Sequence, residues 1–186
     1  MTEILSSCGE HNTCMVSKIE EHVVSSTPLS IPWNLYYHLS DSKNWTVSSY
    51  IPIMTDIDTI EKTIAITDAL TDNIIKYAML FIMRKGITPM WEDPKNRTGG
   101  AFSYKVFNKF VPEVWRQLMF LLLGETIVVN HAHMQLINGI TISPKKHFCI
   151  VKIWLSDCTL QNPNVITPIP LLITNGALFR KHEPEF

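Results

Sequence analysis

At 186 residues the chain is long enough for one domain with a real core and short for two. Sixteen Lys and Arg stand against seventeen Asp and Glu, a formal net charge of -1, which excludes a broad basic surface that wraps nucleic acid and confines any such contact to a local patch. Cys8, Cys14, Cys149 and Cys158 form no CxxC pair, no secretory leader is evident, and the most apolar run, 118–123, is far short of the roughly 20 residues that cross a bilayer; the expectation is a cytoplasmic monomer without membrane contact.

Residues 1–26 are polar, mixed in charge and without period, which predicts a flexible segment ahead of a single domain over 27–186. Cys8, His11 and Cys14 are one short of the four ligands a structural zinc takes, and no other Cys or His falls at a supporting spacing. Neither a metal nor a cofactor is expected.

The aromatic-rich stretch 29–39, flanked by Pro28, Pro32 and Ser40-Asp41, predicts a first strand centred on 33–37, with Trp33, Leu35 and Tyr37 on one face. A polar loop, 40–49, then carries Trp45. Ile57, Ile60, Ile64 and Ala65 fall at helical spacing behind Asp58, with Glu61 three residues on, and predict a helix over 56–70. The unbroken apolar run 77–83 predicts a central strand, ended by Arg84-Lys85-Gly86. Met90-Trp91-Glu92 follows in a loop that closes with Asp93-Pro94.

Gly99-Gly100 opens another strand, 102–107, with Phe102, Tyr104 and Val106 alternating against Ser103 and Lys105. Pro112 sits where a helix tolerates proline, and Val114, Trp115, Leu118, Leu121 and Leu122 make its apolar stripe, ended by Gly124. After a loop with His131 and His133, strands 136–142 and 148–155 flank the basic tip 143–147. The proline-rich remainder predicts one short edge strand at 169–173. The fold class is α+β: one curved antiparallel sheet with two to three helices on its convex face and a ligand slot on its concave face.

Trp45, Trp91 and Trp154 lie on a loop, a loop and a strand end that such a sheet brings to its open face. Two facing indoles make a slot for one base; stacking is worth roughly 1–3 kcal/mol per base, and a cationic ring adds about 0.5–2 kcal/mol. Guanine methylated at N7 is such a cation, and its adjacent N1–H and N2–H donors suit a carboxylate like that of Glu92. Lys145 and Lys146 supply point charges for phosphates. Two other readings compete. One is a cap or nucleotide hydrolase using Glu125, His131, His133 and His147 around a metal, since His-x-His is ligand spacing on a strand; the other is a structural domain whose tryptophans plug a core. No nucleophile, phosphate-cradling glycine loop or acidic cluster accompanies the histidines, so a binder is expected, not an enzyme.

The chain resembles the cap-binding translation initiation factor 4E family. The matching pieces are Pro28-Leu29 ahead of Trp33, then Lys43-Asn44-Trp45, the run from Gly86 through Pro89-Met90-Trp91-Glu92-Asp93 with Asn96 and Gly99-Gly100, then Trp115 with Leu122-Leu123-Gly124-Glu125, and finally Gly139 through Trp154. Together they cover roughly residues 27–157.

The resemblance implies a sheet that holds the 7-methylguanosine 5′ cap of messenger RNA on its concave face during translation initiation. Trp45 and Trp91 would sandwich the base, Glu92 would take its Watson–Crick edge and Trp154 would touch the N7-methyl group. Lys145 stands where the family has an arginine for the cap phosphates. Ala101, His147 and Ile150 occupy positions that are usually basic, with Lys146 and Lys152 as compensating charges. On the convex face, where the family docks the scaffold factor 4G or an inhibitory helix, Ile64 replaces a tryptophan and Arg116-Gln117 a leucine-glutamate pair. Pro28, Ile60, Ile64, Phe120 and Leu123 are the candidate partner-binding residues there. These departures leave open a repressor that occupies caps without recruiting the scaffold.

Overall fold

A computed structural model describes residues 26–39 and 44–184; Cys8, His11, Cys14, Lys43 and nearly all of the predicted flexible segment lie outside the described residues. One seven-stranded antiparallel sheet organises the chain. Its strands are β1 (Pro28–His38), β2 (Tyr50–Thr59), β3 (Met79–Arg84), β4 (Gly100–Phe107), β5 (Ile137–Pro144), β6 (Phe148–Leu155) and β7 (Leu178–Lys181), in the spatial order β2-β1-β3-β5-β6-β4-β7. Three α-helices, α1 (Ile60–Ala69), α2 (Asp72–Tyr77) and α3 (Val111–Leu123), occur among the described residues. The expected class, a curved antiparallel sheet backed by two to three helices, is the one observed.

Strand alternation gives the sheet two different faces. Trp33, Leu35, Phe102, Tyr104, Val106, Val151 and Ile153 point to the helices and form the main core with Val114, Trp115, Leu118 and Leu122 of α3. Each fully buried aliphatic or aromatic side chain there stabilises by about 1.5–3 kcal/mol relative to exposure. On the opposite, concave face a smaller cluster gathers Phe81, Met83, Ile87 and Trp154, with Tyr36, Tyr50, Met79 and Trp91 packed against it. The predicted alternation of Trp33, Leu35 and Tyr37 is what β1 shows, and Tyr36 accordingly belongs to the concave cluster.

Four local expectations need correction. The stretch 50–59 is strand, so residues 56–59 are not the start of the predicted helix: Ile51, Pro52, Met54 and Ile57 pair with β1 across irregular register, with Asp56 in the left-handed region (φ 55°) and its N–H donating to Asn34 Oδ1 at 2.9 Å. Helix α1 therefore starts at Ile60 and is capped by Thr59, whose side chain accepts from Lys62 N–H at 3.2 Å; Asp58 takes the Lys62 ammonium instead, at 2.8 Å. Tyr77 ends α2, and β3 begins two residues later. Residues 169–173 are not the edge strand: Ile169 and Leu172 are buried as plugs, and the edge is β7.

Gly124 does cap α3, but the residue in the left-handed conformation is Glu125 (φ 58°). Thr126 N–H donates to Leu121 O at 2.8 Å and Glu125 N–H to Leu122 O at 3.1 Å, the Schellman pattern with a glutamate at its strained position. No described helix is long and apolar enough to cross a membrane.

Candidate functional site

The loop between β3 and β4 is built to display two side chains. Gly86 turns the chain out of β3 at φ 77°, and Ile87 and Met90 bury their side chains as anchors. Asp93 then folds the loop back: its Oδ2 accepts from Thr88 N–H at 2.7 Å and its Oδ1 from Lys95 N–H at 2.9 Å. Asn96 is wholly buried and donates through Nδ2 to Thr88 O at 2.9 Å and Met90 O at 2.8 Å. Its own Oδ1 accepts from Asn138 Nδ2 at 2.9 Å, and that amide also donates to Lys95 O at 2.7 Å. Gly99 follows where the chain passes over the end of β6; a Cβ there would meet Leu155 O at 1.9 Å. Asp93, Asn96 and Gly99 thus fix the fold of a loop whose half-buried products are Trp91 and Glu92.

Trp154 forms the floor beside them. It is 4% exposed, and its Nε1–H donates to Thr141 Oγ1 at 3.2 Å, so its polar edge is satisfied within the sheet. His182, just after β7, fills the space between the two indoles. Its ring stacks on Trp91 with centroids 5.6 Å apart and tilts against Trp154 at 4.8 Å. His182 Nδ1 lies 2.7 Å from Asn96 O and so carries the hydrogen, while Nε2 is buried with no partner. Burial, with Lys152 nearby, holds the His182 pKa below its usual value, against the opposing pull of the Asn96 carbonyl and Glu92.

Trp45 stands on the other wall. It is 49% exposed and stacks on His38 at 4.1 Å, with planes 9° apart. His38 is buried and held through both ring nitrogens, 2.8 Å from Leu39 O and 2.8 Å from Asn44 O. Tyr50 bridges from Trp45, 6.3 Å away, to Phe81, 5.2 Å away, and so joins this wall to the concave cluster. Burial, with the Glu92 carboxylate as a second cause, pushes the Tyr50 hydroxyl up to about 12. Half-buried Glu92 is the carboxylate felt by both Tyr50 and His182.

Beyond Trp154 the floor turns cationic. Lys152 Nζ lies 5.6 Å from the Trp91 ring centroid, and burial, then Lys145 and Arg180, hold its pKa below the ordinary lysine value. With Lys145 and Arg180 near it, the half-buried Lys152 sits in a local positive potential that an anion would relieve. A cavity opens beside Lys152 and Arg180, lined also by Trp91, Ser103 and His182. Register explains the arrangement: Ala101 pairs with Arg180 on one side and Trp154 on the other, and Ser103 pairs with Lys152. Arg180 and Lys152 thus flank Ala101 and Ile150, two of the three usually basic positions that hold other residues here. Lys146 is exposed at the hairpin tip, its carbonyl accepting from Asn108 Nδ2 at 3.5 Å.

The model of the family described as eukaryotic initiation factor 4E matches residues 28–174. The chain belongs to the eukaryotic initiation factor 4E family. Among curated relatives, the initiation factor 4E homolog of Acanthamoeba polyphaga mimivirus is 47% identical over 62 residues, 33% of this chain and 23% of that one. Initiation factor 4E of Eremothecium gossypii is 27% identical over 134 residues, 68% of this chain and 61% of that one. The chain thus covers less than two thirds of the length of either relative. The fold is that of C. elegans eIF4E-3, solved with the 4E-binding protein Mextli and a cap analog, at a TM-score of 0.64 and 22% identity over 73% of this chain and 77% of that one.

Within this 4E-family chain, Trp91, Glu92, Trp154 and Lys152 are brought together, with Lys145 close enough to act on Lys152. Trp45 reaches them through Tyr50. On the convex side, Pro28, Ile60, Ile64 and Phe120 are exposed, whereas Leu123 is 2% exposed and belongs to the core, so it supports that surface from beneath. Arg116 is tied down, donating to Asp72 Oδ1 at 2.7 Å and Leu70 O at 3.3 Å.

The hydrolase constellation is not assembled. His131 and His133 sit in a 3-10 turn, where residues two apart point about 120° away from each other rather than to one face. His131 Nε2 is 3.6 Å from Glu125 Oε2, His147 is at the β5–β6 tip, and no group of three His, Cys, Asp or Glu poised for a metal occurs among the described residues.

His38 and Tyr50 escaped the sequence reading, as did Arg180 and His182 on the other wall. Arg180 and His182 depend on β7, whose signal was the short Leu-Phe-Arg-Lys run that the preceding apolar stretch overshadowed.

Proposed function

We propose that this chain reads the 7-methylguanosine 5′ cap of messenger RNA and acts in translation as a binder, not an enzyme. The observation that carries the proposal is the continuity of one concave face, with Trp91, Glu92 and Trp154 at one end and Lys152, Lys145 and Arg180 at the other. A methylated guanine stacks on Trp91, gives its paired N–H donors to Glu92 and turns its methyl edge to Trp154. Trp45 closes the outer side of the base. The 5′ phosphates lie over Lys152, Arg180 and Lys145, with Lys146 at the rim. The C. elegans relative solved with a cap analog supports this reading.

Titration with 7-methylguanosine triphosphate, followed by intrinsic tryptophan fluorescence and by an assay for turnover, tests it. Saturable quenching with no turnover is expected, and GTP, lacking the cationic ring, should bind more weakly. Glu92→Gln should lower affinity by about tenfold or more, since a charge-assisted pair of hydrogen bonds is lost. Absence of quenching refutes the reader; turnover points to the hydrolase. The restrained Arg116 and the exposed Ile64 favour a second reading of the same site, a repressor that holds caps without a standard scaffold contact. A scaffold-type partner helix should then bind weakly in calorimetry, and tight binding would favour initiation instead.

A further inference from the structure

The concave face does not end at the phosphate cluster. Residues of β4 and β6 that point away from the helices pair in a ladder: Ala101 with Trp154, Ser103 with Lys152, Lys105 with Ile150, and Phe107 with Phe148. Their neighbours Phe102, Tyr104 and Val106 are buried in the opposite core, which fixes the direction of this row. Six residues separate Trp154 from Phe148, about 20 Å along a strand at the usual rise.

The far end of the row is an aromatic pair, exposed Phe107 and half-buried Phe148, with a cation beside both rings. Phe107 is 55% exposed, a large cost in water if nothing covers it. Lys105 Nζ lies 4.4 Å from the Phe148 ring centroid and 5.6 Å from that of Phe107. The charge around it is one-sided. Segments 100–110 and 143–155 contain Lys105, Lys109, Lys145, Lys146 and Lys152 but no Asp or Glu, in a chain whose net charge is -1. Asn108 ties the two segments together, its N–H donating to His147 O at 3.5 Å, so the lysines of the hairpin tip stay beside Phe107.

Aromatic faces interleaved with lysines along a groove are what single-stranded nucleic acid uses: bases stack and phosphates follow the cations. We infer that the Phe107–Lys105–Phe148 patch is a second binding site, for the first unpaired nucleotides of the RNA that follows the cap. The inference rests on the cap reading, which sets the direction: base at Trp154, phosphates at Lys152, then RNA toward Phe107. A ligand ending at the triphosphate does not reach the patch. An RNA does.

The test compares 7-methylguanosine triphosphate with a short capped single-stranded RNA and an uncapped RNA of the same sequence. Wild type should bind the capped RNA about fivefold or more tightly than the triphosphate, the effect of one stacked base. Phe107→Ala with Lys105→Ala should remove that difference while leaving triphosphate affinity unchanged, and Phe107→Trp should keep it. Because Phe107 and Lys105 are exposed, these variants leave the core intact, and unchanged triphosphate binding reports the fold. Equal affinity of wild type for the capped RNA and the triphosphate, or a difference that survives the double variant, overturns the inference while the cap reading stands. A concentration-dependent dimer abolished by Phe107→Ala also overturns it, by assigning the patch to a second copy of the chain. Failure of wild type to bind the triphosphate removes the cap reading and the inference with it.

Discussion

Asn96 braces the loop that carries Trp91 and Glu92. Its side chain satisfies Thr88 O, Met90 O and the Asn138 amide in a place without solvent, and its carbonyl holds His182. Asn96→Ala leaves several buried polar groups unpaired at about 1–3 kcal/mol each, so thermal melting should show a loss of several degrees or more. Affinity for a cap analogue should fall as well, because Trp91 loses its frame. His182 makes a second prediction. Its folded pKa lies below the unfolded value of about 6.5, so the unfolded chain binds the proton more readily; stability is fully present above that value and is lost as pH falls toward the folded pKa. Melts from neutral pH to about pH 5 should show this loss, and His182→Gln should reduce the dependence on pH. That Trp91 and Glu92 sit in a loop and Trp154 at a strand end was legible from turn residues and strand alternation, while their joint role came only from the family resemblance. His182 and Arg180 were not legible, since only the pairing of β7 with β4 brings them to the pocket.

At the scale of elements, the junction of the Trp91 loop with β4 tolerates the least change. A Cβ on Gly99 would lie 1.9 Å from Leu155 O, and one on Gly100 would lie 2.5 Å from the Phe179 ring and 2.7 Å from Arg180 O. Gly99→Ala meets backbone that cannot rotate away and should cost about 3 kcal/mol or more, read as a fallen denaturation midpoint or as loss of soluble protein. The same contacts show why β7 was hard to place from sequence: a four-residue edge strand is specified by what it packs on, not by its own pattern. Helix α3 was legible nearly to the residue because its stripe and proline are local signals. Strand β2 was not. Ile57, Ile60 and Ile64 have helical spacing across a boundary where Thr59 caps and pairing with β1 takes over, and Asp56 breaks the alternation that would have marked a strand.

Taken whole, the molecule is a wall with an apolar core on each side. The helices make the convex core self-sufficient, while the concave side carries the buried Trp154, half-buried Trp91 and Lys152, and exposed Phe107. A chain of net charge -1 that binds a polyanion must do so through local potential, and the sheet supplies it by aligning Lys152, Arg180 and Lys145. The base end of the pocket is mostly apolar contact plus Glu92, so its affinity should change little with ionic strength. The phosphate end should behave oppositely. Binding of 7-methylguanosine triphosphate is therefore expected to weaken steadily as salt rises, while the bare nucleoside holds nearly constant. Lys152→Ala with Arg180→Ala should flatten the logarithmic salt dependence by roughly 0.7 for each phosphate contact removed and leave nucleoside affinity in place. Lys145→Ala with Lys146→Ala should act the same way with a smaller effect, because both lysines are exposed at the hairpin tip and neither lines the cavity. Fluorescence titrations across a salt series measure both slopes. A slope that survives the loss of Lys152 and Arg180 would move the phosphates off the sheet floor and onto the hairpin tip.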